Sequence, residues 1–305
     1  MKAYFPNILC SILLCFLLGI QQVFAQLVPV YSQYLVNHSI LNPAYVGIDN
    51  CLNVNALYRQ QWVNYAGSPS TRTFSAHSPF RNRSLAAGIN FVNDVIGVTS
   101  NTQVEGQFAY RLRVREKSKL SFGLGLGLFN NKNNFSDLNT NDNNDEVFLN
   151  NLNTTLPTFS FGTYFENDRY FVGLSSLNLT RNFSNTEAFV QQQPFYLTSG
   201  YHFKFGENVI VTPSVLVKKL INSPVNTDLN LFFDYVKMFR LGISYRQDEA
   251  CYGIIQLKLN HQFQIGYSYD YFTSSIRKYH NGAHEVSIKY VFQYQTNTVN
   301  VKSLE

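Results

Sequence analysis

Six histidines, at positions 38, 77, 202, 261, 280 and 284, are the first side chains to test for chemistry. A zinc site needs three or four nitrogen, sulfur or carboxylate donors at one point. His280 and His284 share parity, so one continuous strand would turn both to the same side. However, His280 falls in an expected loop, and no cysteine or acidic cluster completes a ligand set. Acyl transfer by a serine would call for a nucleophile elbow such as G-x-S-x-G, which the chain lacks. The run Gly123-Leu124-Gly125-Leu126-Gly127 is no phosphate loop. Its period-2 glycines read better as places where an inner wall is kept clear for packing from within. The Asn-rich stretch 133–154 offers oxygens from Asp137, Asp142, Asp145 and Glu146. It lacks the spacing, the glycine and the terminal glutamate of an EF-hand loop, so a solvated loop is the better reading. On these residues no catalytic site, cofactor or metal is expected, and the chain reads as a non-enzyme. Loops on a rigid scaffold commonly carry recognition, which makes Asp142, Asp145 and Glu146 candidates for partner contact.

The elements that would hold such loops are legible in period-2 alternation, which puts successive side chains on opposite faces of a strand. Val104, Gly106, Phe108, Tyr110, Leu112 and Val114 alternate with Gln103, Glu105, Gln107, Ala109, Arg111, Arg113 and Arg115. After a turn at Glu116-Lys117-Ser118 the pattern resumes, and it recurs over 262–272 and 284–294. Fourteen strands are expected, at 52–64, 70–79, 84–94, 102–115, 119–132, 155–165, 169–177, 195–205, 209–219, 227–236, 239–247, 251–260, 262–272 and 284–294. Most are long enough for a tilted strand to cross a bilayer.

Short turns at 79–83, 116–118, 166–168, 206–208, 237–238 and 261 alternate with links at 65–69, 95–101, 133–154, 178–194, 220–226, 248–250 and 273–283, most of them longer. A Greek-key sandwich has no reason to alternate so regularly. A transmembrane barrel with short periplasmic turns and long external loops does. In that topology Cys51 opens the first strand at the periplasmic end and Cys251 opens the twelfth at the external end. The apolar band between them is far taller than a disulfide can span, so both thiols should be free.

Composition agrees with such a wall. Charged residues make up 14% and aromatic residues 15%, with 26 Phe and 20 Tyr against one Trp. At the N-terminus, Lys2, an apolar run from Ile8 to Ile20 and the small-residue site Val23-Phe24-Ala25 read as a cleaved signal peptide over 1–25. Its loss removes one basic residue and no acid, leaving 23 basic against 19 acidic residues. That mild balance, without a basic block, excludes nucleic-acid binding.

Residues 26–50 precede the first strand yet are too apolar for a free tail: Tyr31, Tyr34, Leu35, Ile40, Leu41 and Tyr45 need cover. Two readings stay open, packing into the lumen as a plug or docking on a periplasmic partner, of which partial plugging is favoured. Tyr31, Tyr34, Asn42, Pro43 and Tyr45 are its candidate contact residues. The barrel is expected over 51–294 and a polar tail over 295–305.

Several stretches resemble one known family. They include Tyr31-Ser32-Gln33-Tyr34, Asn42-Pro43-Ala44-Tyr45-Val46-Gly47, Ala56-Leu57-Tyr58-Arg59-Gln60-Gln61-Trp62-Val63 and Phe74-Ser75-Ala76-His77-Ser78-Pro79. Val92-Asn93-Asp94-Val95-Ile96-Gly97, Phe108-Ala109-Tyr110-Arg111, Ile265-Gly266-Tyr267-Ser268-Tyr269-Asp270-Tyr271 and Gly282-Ala283-His284-Glu285 continue the series in order. Together they resemble the PorP/SprF type IX secretion membrane proteins of Bacteroidetes, departing at Val46, where that family usually has Ala, and in the tail. The resemblance implies an outer-membrane barrel serving secretion and gliding. It also implies partners: secreted, adhesin-like cargo with a C-terminal secretion domain, and periplasmic components of the machinery. A passive channel is the competing reading. It would show a lumen dense in fixed charge, whereas the inward set reads as largely Ser, Gly, Gln and Thr, with Arg111, Arg113 and Lys119 as exceptions.

Overall fold

The computed structural model describes residues 29–49, 51–81, 83–137, 151–179, 192–221, 223–236 and 238–292. The alternating segments form β1 (Leu52–Gln60), β2 (Ser70–Pro79), β3 (Leu85–Ile96), β4 (Thr99–Arg115), β5 (Ser118–Asn133), β6 (Leu152–Glu166) and β7 (Tyr170–Ser176). They continue as β8 (Pro194–Tyr201), β9 (Phe203–Phe205), β10 (Val209–Leu220), β11 (Val225–Tyr235), β12 (Phe239–Arg246), β13 (Ala250–Lys258), β14 (Phe263–Phe272) and β15 (Ala283–Phe292). β8 and β9 are one strand broken at His202. The cause lies across the ladder, where Pro213 of β10 has no amide hydrogen to give. Pairing steps from Gly200–Ser214 to Phe203–Val211, and the His202 ring meets the Thr212 hydroxyl at 2.8 Å instead.

Counted so, fourteen antiparallel strands form an up-and-down ring in chain order. The ring closes where β1 pairs with β15, from Leu52–Phe292 to Gln60–His284. Closure is what lipid demands, because each unpaired backbone group in hydrocarbon costs several kcal/mol. The outward residues are bare apolar side chains: Phe108, Leu124 and Ile243 are 56%, 59% and 74% exposed in the isolated chain. Exposed aromatics gather at both ends of the wall, with Phe205, Tyr235 and Phe239 at one and Tyr58, Tyr245 and Tyr271 at the other, as interfacial girdles require.

One expected loop is absent. Over 95–101, β3 continues to Ile96 and β4 starts at Thr99, leaving Gly97-Val98 as a two-residue turn with Gly97 at φ 57°. The polar run Thr99-Ser100-Asn101 after Gly97 caused the misreading, although it pairs with Ile96, Val95 and Asp94. Asn93 donates to Ser100 and Thr102 across the ladder at 3.2 and 3.0 Å, so this hairpin is strand beyond its apolar part. Cys51 and Cys251 are unbridged, one before β1 and one near the start of β13 at the opposite end.

Candidate functional site

The inward faces would enclose a hole, and residues 29–49 occupy it. The segment is too short in regular structure to satisfy itself. It makes two single 3₁₀ turns, His38–Ile40 and Pro43–Tyr45, the second capped by the Asn42 side chain, which accepts from the Ala44 amide at 2.9 Å. Most of its remaining polar groups, the His38 ring excepted, find partners on the wall, as buried groups usually do. Asn37 donates to Ser75 of β2 at 2.6 Å, and Asn90 of β3 and Gln107 of β4 donate to the Ser39 carbonyl at 2.8 and 3.0 Å. Asn42 donates to the Thr163 carbonyl of β6, and Asn230 of β11 to the Tyr34 hydroxyl. Arg111 of β4 donates to the Gly47 and Val46 carbonyls at 2.8 and 3.0 Å. Strands on opposite sides of the ring thus hold one peptide between them. Close approach explains two inward glycines: a β-carbon at Gly123 would overlap the Pro43–Ala44 backbone, and one at Gly162 the Asn42 side chain.

The start of the segment meets a buried ionic network. Glu285 accepts the consecutive amides of Ser32 and Gln33 at 2.9 and 2.7 Å, and the Ser32 hydroxyl donates to Asp270. Arg59 holds Asp270 at 2.7 Å and Glu285 at 3.2 Å, all three side chains being 0% exposed. Beside them Arg246 makes a two-pronged pair with Asp228 and donates to the Tyr31 carbonyl at 3.1 Å. Tyr252 donates to the same Asp228 at 2.9 Å. Such forks are the stronger hydrogen bonds. They offset a desolvation cost of several kcal/mol per ion only when every partner is present.

This network corrects the reading of the inner wall as largely uncharged. Arg59, Asp228, Arg246, Asp270 and Glu285 each stand in a different strand, so no local window shows them as a group. The stretches that carried the family resemblance meet here, however. Tyr31–Gln33, Arg59, Asp270 and Glu285 are in contact across up to 253 residues of sequence.

Toward the short-turn end the lumen opens into two adjoining recesses of about 280 and 180 Å³ that share Leu35, Tyr45, Asp49 and Arg240. Lys258 and Lys289 line the first, and His38, Tyr164, Phe171 and Phe232 the second. Burial alone would raise the Asp49 carboxyl, but Lys289 (3.2 Å away), His77 and Lys258 together hold it below its usual value. His38 stacks on Tyr45 at 4.7 Å with neither ring nitrogen bonded, and burial pushes it down to about 3, helped by Arg240 and Lys289.

The contact candidates Tyr31, Tyr34, Asn42 and Pro43 are buried in this packing, and Tyr45 is largely covered. A partner would reach them only if the segment left the barrel. Asp142, Asp145 and Glu146 lie outside the described residues. The histidines do not converge. His77 accepts from the Gly47 amide, His280 packs between Trp62 and Phe272 at the end opposite the short turns, and His284 faces outward to the Tyr267 hydroxyl. Among the described residues no group of three His, Cys, Asp or Glu side chains is placed to hold a metal.

A closed antiparallel ring with an apolar outer face, a polar inner face and aromatic ends is the architecture of an outer-membrane β-barrel, and the protein resides in the outer membrane. The sequence model of the type IX secretion system membrane proteins PorP/SprF matches residues 23–290, and the chain belongs to that family. Among solved structures it is similar to the Acinetobacter baumannii outer membrane protein Omp33, at 9% identity and TM-score 0.49, over 80% of this chain and 98% of that one. It is also similar to a Pseudomonas aeruginosa FadL homologue, at 12% identity and TM-score 0.48, over 83% and 93%. No curated protein matches the chain.

Proposed function

We propose that this barrel is a non-enzymatic docking component of type IX secretion. Its external loops receive secreted, adhesin-like cargo carrying a C-terminal secretion domain, and its periplasmic end couples that cargo to the machinery. The observation that carries the reading is the filled lumen. Residues 29–49 are bonded to strands all round the ring, and Arg59, Asp228, Arg246, Asp270 and Glu285 inside it are engaged with one another and with that segment. A passive channel has use for an open, charged bore; a scaffold has use for its rims. The long external link 133–154, with Asp142, Asp145 and Glu146, is the first choice for cargo contact.

The test is binding of a purified C-terminal secretion domain, fused to a fluorescent protein, to the barrel in nanodiscs. Saturable binding that is lost when residues 138–150 are replaced by a short Gly-Ser linker supports the reading. No binding, together with solute leakage through protein-containing liposomes, returns the choice to the channel.

A further inference from the structure

A closed barrel should leave no strand edge, yet stretches of this wall have one, among them the end of β4. β3 pairs with β4 only as far as Leu85–Tyr110, and the Arg111 amide then donates to the Ser84 carbonyl at 2.7 Å. Beyond that point Leu112–Arg115 has a ladder to β5 on one side and no strand on the other. Strand alternation turns the amide and carbonyl of Arg113 the same way as those of Arg111, toward the open side. The free stretch is roughly 13 Å long at 3.3 Å per residue. It lies at the short-turn end, and a register shift between Arg113 and Arg115 bends its tip.

Charge marks the same side. Arg113 and Arg115 are exposed, as are Arg81 and Arg83 in the adjoining β2–β3 turn, and none of the four is in an ion pair among the described residues. Across the hairpin, toward β6, the cations are matched: Lys117 pairs with Asp168 at 3.2 Å and Lys119 with Glu166 at 3.3 Å. Unpaired backbone and unpaired positive charge therefore coincide.

We propose that this edge accepts an extended acidic segment of a periplasmic protein as an added strand. Its main chain pairs with Leu112–Arg115, and its carboxylates meet Arg81, Arg83, Arg113 and Arg115. The inference rests on the reading of the short-turn end as the coupling face and names the chemistry of what couples there. Lipid phosphates would answer the charge but not the backbone. Arg113 also shares the parity of Arg111, which reaches into the lumen to the Val46 and Gly47 carbonyls, so it faces the barrel axis and not the bilayer.

The experiment uses full-length protein in nanodiscs of neutral lipid and a fluorescein-labelled ten-residue peptide of alternating Glu and Thr, followed by anisotropy. Saturable binding is expected, weakened by salt, with protection of the Arg113 amide from hydrogen exchange. The Lys-Thr counterpart and the acidic peptide with N-methylated backbone should bind at least tenfold more weakly. So should the acidic peptide to an Arg113→Glu, Arg115→Glu variant whose folding is verified by heat-shifted gel migration. Equal binding of the N-methylated peptide, or undiminished binding to the variant, overturns the proposal. Loss of peptide binding in nanodiscs of anionic lipid, with arginine-dependent lipid retention, assigns the patch to the bilayer and overturns it as well. The probe contains no cargo sequence, so failure here leaves cargo docking, measured separately, standing or falling on its own.

Discussion

Replacing Arg59 with Met keeps most of the side-chain volume and deletes the charge that two buried carboxylates share. The substitution removes the 2.7 Å contact to Asp270, the 3.2 Å contact to Glu285 and a 2.9 Å bond to the Ser32 hydroxyl. The nearest remaining guanidinium, Arg246, stands 3.8 Å from Asp270 and is already engaged with Asp228. Breaking a buried pair from one side costs about 3–5 kcal/mol, because the abandoned charge stays out of water. At 1.4 kcal/mol per tenfold, that shifts an equilibrium by roughly two to three and a half powers of ten. Much of the shift should fall on docking of the N-terminal segment, since Glu285 also holds the Ser32 and Gln33 amides.

The assay is urea unfolding in lipid vesicles, paired with proteinase K cleavage within 29–49. Arg59→Met should lower stability by the stated amount and expose the segment. Adding Asp270→Asn and Glu285→Gln to the same chain should recover most of the loss, because the neutralised network no longer contains a stranded charge. An Arg59→Met protein within about 0.5 kcal/mol of the parent, the range of an ordinary surface change, would refute the reasoning.

Gly123→Val should drive its side chain into the Pro43–Ala44 backbone and cost about 1–3 kcal/mol by overpacking, read as faster proteolysis of the segment with the barrel intact. His38 is held neutral in the folded chain to about pH 3, so the released segment takes up a proton first. Docking is therefore at full strength above about pH 6.5 and weakens as pH falls toward 3, by up to about 1.4 kcal/mol per pH unit. Cleavage within 29–49 should rise between pH 7.5 and 5 in the parent and stay flat in His38→Phe. Cys51 and Cys251 should leave electrophoretic mobility unchanged by reductant and give two reactive thiols on unfolding in the chain without its signal segment.

The wall was legible in the sequence because alternation is local. Gln103–Arg115 and Lys119–Leu128 each state their two faces without reference to any neighbour, and the structure keeps those faces. The β3–β4 link was misread for the same reason. Thr99, Ser100 and Asn101 look like loop residues until they are paired with Ile96, Val95 and Asp94 across a ladder that no single window contains. Residues 29–49 were half legible: Tyr31, Tyr34, Ile40 and Leu41 announced a need for cover, and Gly123 announced a place that needed to be empty, but nothing joined the two. The ionic network was invisible, since one Arg in β1, one Arg in β12 and single acids in β11, β14 and β15 become neighbours only when the ring closes. A usable signal was present in the parity. Arg59 and Glu285 both sit at inward positions of strands that must pair if the first strand meets the last, and the register places them directly opposite.

A lumen occupied by the chain's own N-terminal residues is tested most directly by single-channel recording in planar bilayers. Full-length protein should insert without steady conductance. A variant lacking residues 29–49, verified as folded by heat-shifted gel migration, should insert with a steady ohmic conductance. Equal conductance from both proteins, or silence from a correctly folded deletion variant, would contradict the account.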